Sequence, residues 1–183
     1  MVDMSHIVVL VGNPQLSSRT RLVAEEVARQ IAGRSGAEVD ETIELASVAD
    51  TLFRFPDDTV DALSARVADA DVLIVASPTY KATYTGLLKA FLDRSPTGGL
   101  RGVTAIPLLT IGAPTHALAV EHGLRPLLVE LGASTPTRGI AFPAADVDRR
   151  SEIVAAWLDA EWQALAGALS TARGSEAVAS AAR

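Results

Sequence analysis

The chain contains no cysteine among its 183 residues. Disulfides, iron–sulfur clusters and thiol nucleophiles are therefore excluded, and the composition fits a reducing compartment. Runs of lysine and arginine are missing as well. Sixteen basic side chains against 22 acidic ones leave a formal charge of −6 and a pI near 5.0. Such a surface repels a phosphate backbone, so no nucleic-acid partner is expected. Long apolar runs are also absent near the start. His6-Ile7-Val8-Val9-Leu10-Val11 has no basic segment before it and is too short for a signal-peptide core or a bilayer span. No membrane association is expected, and a cytoplasmic location is the default. Neither G-x-x-x-x-G-K-[ST] nor G-x-G-x-x-G follows that run, which argues against a triphosphate-binding loop and a Rossmann-type dinucleotide site.

What is present is the composition of a folded protein: 49% apolar and 21% charged residues, in a length that suits one domain with a sizeable core. Residues 1–170 are expected to form that domain, with the small, polar stretch 171–183 as a flexible tail. The elements alternate. Ile7–Val11 reads as a buried strand and Arg19–Ala32 as a helix, with Leu22, Val23, Val27 and Ile31 on its apolar side. Val39–Leu45 reads as a weaker strand, Thr59–Ala70 as a helix, Asp71–Ser77 as the clearest strand, and Leu87–Asp93 as the core of a helix. Thr104–Ile111 follows as a strand, His116–Leu131 as a helix closed by Gly132, Pro136–Phe142 as a weak strand, and Ser151–Leu169 as an amphipathic helix. Regular alternation predicts an α/β fold, a flavodoxin-like doubly wound five-stranded parallel sheet with helices on both faces. In that fold a ligand sits at the carboxyl ends of the strands near the switch point, so the strand-exit loops carry the information.

The first exit is V-G-N-P-Q-L-S-S-R-T. Ser17 or Ser18 can cap the following helix, which needs no ligand. Thr20 adds a further hydroxyl, and Arg19 is a cation at the positive end of a helix dipole, where a cation is disfavoured unless an anion binds between them. The second exit, S-P-T-Y-K-A-T-Y-T-G, places Pro78, Thr79, Tyr80 and Lys81 before the next helix, a setting in which a planar ring can stack and its edge be hydrogen-bonded. Tyr84 is read as packing on the domain or a partner subunit. In the third exit, Gly112 permits close backbone approach. One phosphate site and one stacked-ring site suit a mononucleotide-like cofactor, and FMN suits them best.

G-N-P-Q-L-S-S-R-T, S-P-T-Y-K-A-T-Y-T-G-L-L-K-A-F-L-D and H-A-L-A-V-E-H-G-L-R-P-L-L-V-E-L-G-A together resemble the NAD(P)H-dependent FMN reductases of the flavodoxin-like superfamily. Within it, they resemble the reductase components of alkanesulfonate two-component monooxygenase systems. The resemblance spans about residues 6–165, and the second segment is its most specific part. Relatives often read G-S-P-R where this chain has Gly12-Asn13-Pro14-Gln15, and a double glycine where it has Ile111-Gly112-Ala113. The resemblance implies that Ser18, Arg19 and Thr20 hold the FMN phosphate with Asn13 nearby. It implies too that Pro78, Thr79, Tyr80 and Lys81 line the isoalloxazine largely through backbone groups, and that Gly112 lets its loop approach the ring.

The implied reaction is hydride transfer from NAD(P)H to the flavin, whose ring supplies the chemistry. No catalytic side chain and no metal ligand is therefore assigned. Reduced FMN would serve a partner flavin-dependent monooxygenase. A reductase with bound FMN acting on quinones or azo compounds, and a flavodoxin-type electron carrier, share the same fold and stand as alternatives. Gly123 and Pro126 within the 116–131 helix predict a kink or π turn around His122, because Pro126 has no amide to donate. In similar reductases such a turn lies at a subunit interface and is linked to flavin exchange; a surface histidine is the simpler reading. His116 is read as structural. A homodimer or homotetramer is expected.

Overall fold

A computed structural model describes residues 5–169 in full and the backbone of residues 170–181. The tail expected over 171–183 lies outside the fully described residues. The strands are β1 (His6–Val11), β2 (Glu38–Val39), β3 (Ile43–Glu44), β4 (Val72–Pro78), β5 (Thr104–Ile111) and β6 (Ile140–Pro143). The helices are α1 (Arg19–Ser35), α2 (Asp58–Ala68), α3 (Gly86–Leu92), α4 (Arg125–Glu130) and α5 (Arg150–Ala181). Every pairing is parallel, in the order β2-β1-β4-β5-β6, with β3 also paired to β1. β2 and β3 share one edge position, so the sheet is five positions wide with the flavodoxin-like order.

Alternate residues of β1 feed two cores. Ile7, Val9 and Val11 pack with Val23, Val27 and Ile31 of α1 and Val154, Leu158 and Leu165 of α5. Val8 and Leu10 face the opposite layer, with Val60 and Val67 of α2, Leu88 and Phe91 of α3, and Leu124 and Leu128 around α4. β4 and β5 are buried along their whole length, as a central parallel strand covered on both sides must be. The stripe α1 buries includes Ala24 and Ala28. Leu22 instead turns outward and is 40% exposed.

Four elements differ from their expected extents; the last helix, expected to end at Leu169, continues to Ala181. The strand expected over Val39–Leu45 is two short ladders. Asp40 still donates to the Ile7 carbonyl at 3.0 Å, but the Glu41 carbonyl is taken by Arg66 and the Thr42 hydroxyl by Glu25. Charged side chains at this edge interrupt the pairing. The last strand begins at Ile140 rather than Pro136. The carbonyls of Thr135 and Thr137 accept from the Arg125 guanidinium at 2.8 and 2.7 Å, and the Gly139 amide donates to Glu121. Side chains thereby replace the ladder over that stretch. The helix expected over His116–Leu131 divides into a 3₁₀ turn at Pro114–His116, a π turn at Val120–Leu124 and α4. The kink falls where Gly123 and Pro126 place it.

Where α1 meets the start of α5, Glu26 accepts from Arg29 at 2.5 Å and from Gln30 at 2.6 Å, and Gln30 also donates to the Ser151 carbonyl. The Arg29 bond, opposed by burial, holds the Glu26 carboxyl below its ordinary 4.5, at about 2. A carboxylate whose folded value is depressed contributes stability above its unfolded value and loses it as pH falls through the folded one. Urea midpoints of wild type and Glu26→Gln should therefore differ at pH 7 and converge between about 4.5 and about 2. A difference that persists unchanged at pH 2 would contradict this account.

Candidate functional site

At the carboxyl end of β1 the chain turns sharply. Gly12 donates to the Ala76 carbonyl at 2.8 Å, prolonging the ladder by one bond. The Asn13 side-chain oxygen accepts the Gln15 amide at 2.9 Å, closing an Asx turn. Ser17 has φ 52°, and its amide donates to Glu44 at 2.8 Å. Ser18 is extended and caps α1, accepting the Arg21 amide at 3.2 Å on Oγ. The amides of Arg19 and Thr20, first in the helix, have no intrahelical acceptor. The first turn of α1 carries no acid, whereas α2 has Asp58 and Asp61 in its first turn. The positive end of α1 is thus left without a negative partner of its own.

Arg19 strengthens that imbalance. Its guanidinium donates to the Ala144 carbonyl at 3.1 Å and makes no ion pair among the described residues. Arg21, two positions on, is turned away, held by Glu25 and Glu44 at 2.7 Å each. Below the cap, Asn13 Nδ2 donates to Thr20 Oγ1 at 3.2 Å, and Thr20 Oγ1 lies 2.8 Å from Thr110 Oγ1 at the end of β5. Asn13, Ser18, Thr20 and Thr110 are all buried. This concentration of buried polar groups lies at the strand ends, whereas the interior of the sheet is apolar.

The second exit approaches from the β4 side. Tyr80 and Thr83 exchange both backbone hydrogen bonds, at 2.9 and 3.2 Å, around a two-residue turn formed by Lys81 and Ala82. Both turn residues are left-handed, with φ 51° and 64°. Neither is a glycine or asparagine, the residues such a turn favours. The left-handed region costs an ordinary residue about 1–2 kcal/mol. Ala82→Gly is expected to raise stability by roughly 0.5–1 kcal/mol once glycine's greater unfolded freedom is subtracted. Thermal melting with no gain, or a loss, would show that the turn is not strained.

A cavity of about 220 Å³ joins these parts. Asn13, Ser18, Arg19 and Thr20 line one end; Pro78, Thr79, Tyr80 and Gly112 line the other. Lys81 is not in the lining: the left-handed turn carries it to the exposed outer side. Gln15, Thr110 and Ala144 line the cavity without having been singled out from sequence. Thr110 had a readable signal, a hydroxyl near the exit of a strand that is apolar from Ala105 to Leu109. Ala144 had none, since it contributes its backbone. Thr79 Oγ1 is buried with no hydrogen-bond partner among the described residues, an orphan group in a cavity wall. A Cβ built on Gly112 would meet nothing within 4 Å, so the open space there is not required by packing. Gly112 also lines an apolar cavity of about 290 Å³ with Ile111, Pro114, Ala141 and Pro143.

This chain matches the family model for NADPH-dependent FMN reductase over residues 5–146. The chain belongs to the NADPH-dependent FMN reductase family. An FMN reductase (NADPH) of Escherichia coli K12 is 33% identical over 135 residues, 73% of this chain and 71% of that protein. The NADH-dependent FMN reductase SfnF of Pseudomonas fluorescens Pf0-1 is 32% identical over 146 residues, 76% of this chain and 77% of that one. The apo crystal structure of an NADH:FMN oxidoreductase, EMOB, superposes with a TM-score of 0.78 at 32% identity, over 94% of this chain and 90% of that one. In this FMN reductase family member the π turn presents His122 to solvent, while Tyr84 packs half-buried against the α2–α3 core, in agreement with its expected packing role. His116 closes the 3₁₀ turn, its amide donating to the Ala113 carbonyl at 3.0 Å.

Proposed function

We propose that this protein is an NAD(P)H-dependent FMN reductase that binds FMN in the cavity between α1 and the exits of β4 and β5. The observation that carries the reading is the acid-free, serine-capped start of α1 with the ion-pair-free Arg19 beside it, at one end of a cavity whose other end is formed by Pro78, Thr79, Tyr80 and Gly112. The donor set fits a phosphomonoester: free first-turn amides, one guanidinium and a buried hydroxyl network. The orphan Thr79 Oγ1 and the empty space before Gly112 fit a planar heterocycle with polar edges.

Bound there, FMN would supply the redox chemistry of a two-electron exchange between NAD(P)H and an acceptor. The chain's own work is to bind and orient. Arg19 and the α1 amides hold the anion, Thr79 offers a polar group to the ring edge, and Tyr80, half exposed, leaves one side of the site open to a second planar substrate. No proton-transferring side chain is assigned. Reduced flavin is proposed to serve a flavin-dependent monooxygenase, in the cytoplasm. Among the described residues no helix is long and apolar enough to cross a membrane.

The test is anaerobic oxidation of NADPH and of NADH with and without added FMN. Turnover that rises with FMN and yields free reduced flavin is expected. FMN bound without oxidation of either nucleotide would favour an electron carrier. Turnover that needs an added quinone or azo compound would favour the other reductase reading. Self-association into a dimer or tetramer is proposed from large apolar side chains left exposed: Phe53 at 80%, Phe55 at 68%, Leu118 at 66% and Tyr80 at 50%. Sedimentation at micromolar concentration should show an oligomer, and a monomer there would overturn this.

A further inference from the structure

We propose that Thr110 contacts the cofactor as the outgoing end of a hydrogen-bond relay, Asn13 to Thr20 to Thr110, that donates one hydrogen bond to the anion in the cavity. The inference rests on the reading of that cavity as the FMN phosphate site. Thr110 is 5% exposed and ties all three strand exits together. Its carbonyl accepts the Thr79 amide at 2.9 Å, it stands opposite Pro78 in the β4–β5 register, and its hydroxyl meets Thr20 of α1 at 2.8 Å.

The relay follows from counting protons. Asn13 Nδ2 can only donate, and it donates to Thr20 Oγ1 at 3.2 Å. Thr20 and Thr110 carry one hydroxyl proton each. One of the two is used in the bond between them. The other has no acceptor among the described residues, and both side chains line the cavity. In the head-to-tail order each accepting hydroxyl is polarised to donate more strongly in turn, which leaves the free proton on Thr110. A buried hydroxyl proton without an acceptor is costly, and a phosphate oxygen in the cavity would remove that cost.

Flavin-fluorescence titrations of the apoprotein with FMN and with riboflavin, which lacks the phosphate, test this on wild type, Thr110→Val, Thr110→Ser and Arg19→Ala, alongside melting curves. Thr110→Val keeps the side-chain shape and is expected to weaken FMN binding about tenfold or more while changing riboflavin binding far less. Thr110→Ser should restore the preference for FMN. A role in packing alone would lower both affinities together and would not be rescued by serine; that outcome overturns the relay. If Thr110→Val binds FMN like wild type while Arg19→Ala loses its preference over riboflavin, the relay fails and the phosphate reading stands. If Arg19→Ala also keeps the preference, the phosphate reading itself fails, and the relay with it. Should the valine variant not fold, Thr110→Ala is read by the same ratio.

Discussion

Arg19→Ala is expected to weaken FMN binding by roughly 10- to 100-fold, the worth of a charge-assisted hydrogen bond to an anion, and to leave riboflavin binding nearly unchanged. Selectivity between the two ligands is the informative quantity, because it isolates the phosphate. The prediction rests on where Arg19 stands, since Arg66 and Arg150 also face single backbone carbonyls but do not line the cavity. Arg21, Arg29, Arg34, Arg94, Arg125, Arg138 and Arg149 each lie against a carboxylate. Arg19 faces a single backbone carbonyl and sits at a helix start with no acid in the first turn. Its side chain is exposed, so its removal should move stability by no more than about 0.5 kcal/mol. Arg19→Lys keeps the charge but loses the planar fork and should fall between wild type and alanine. The effect should shrink with added salt, since an exposed cation is screened. Wild-type FMN affinity in Arg19→Ala would remove Arg19 from the phosphate site.

The parts of this fold that sequence makes legible are those where one local signal decides the outcome. Buried parallel strands read as unbroken apolar runs, and Val72–Pro78 is buried at every position. Pro126 lacks an amide and Gly123 lacks a side chain, so a π turn around His122 could be anticipated from two residues. The serine cap of α1 and the cation beside it are local as well: Ser18 caps the helix and Arg19 stands in its acid-free first turn. Elsewhere the outcome is decided by partners distant in sequence. The β2–β3 break depends on Arg66 reaching Glu41 and on Thr42 reaching Glu25. The late start of β6 depends on Arg125 and Glu121 taking the backbone groups of residues 135–139. Lys81 leaves the cavity because a two-residue turn adopts a left-handed form without the glycine that would announce it. Thr110 and Ala144 enter it because sheet order puts the exits of β5 and β6 beside α1.

That dependence on distant contacts makes Gly12 the position where fold and site are most tightly joined. A Cβ built there would stand 2.5 Å from Leu88 Cβ and 3.2 Å from Leu88 Cα. The obstacle is the backbone and first side-chain carbon of α3, not the tip of a flexible chain, so α3 or the first exit would have to shift. The two are also bonded: Thr85 Oγ1, which caps α3 by accepting the Leu88 amide at 3.1 Å, donates to the Gly12 carbonyl at 2.5 Å. Gly12→Ala therefore overfills a contact and strains the hydrogen bond that spans it. A cost of about 2–3 kcal/mol is expected, within the range for overpacking a tight interior. In a domain of this size that lowers the melting temperature by roughly 4–12 °C. Flavin affinity should fall as well, because Asn13 follows directly and anchors both the Asx turn and the Thr20 hydroxyl. The restoring change is Leu88→Gly in the same chain. Alone, it opens a cavity in the α3 core and destabilises; combined with Gly12→Ala, it removes Leu88 Cβ at 2.5 Å and leaves Cα at 3.2 Å as the nearest atom. The double variant should be more stable than the sum of the two single losses predicts. Strict additivity in a thermal or urea double-mutant cycle would show that the Gly12–Leu88 contact does not limit the approach of the two segments.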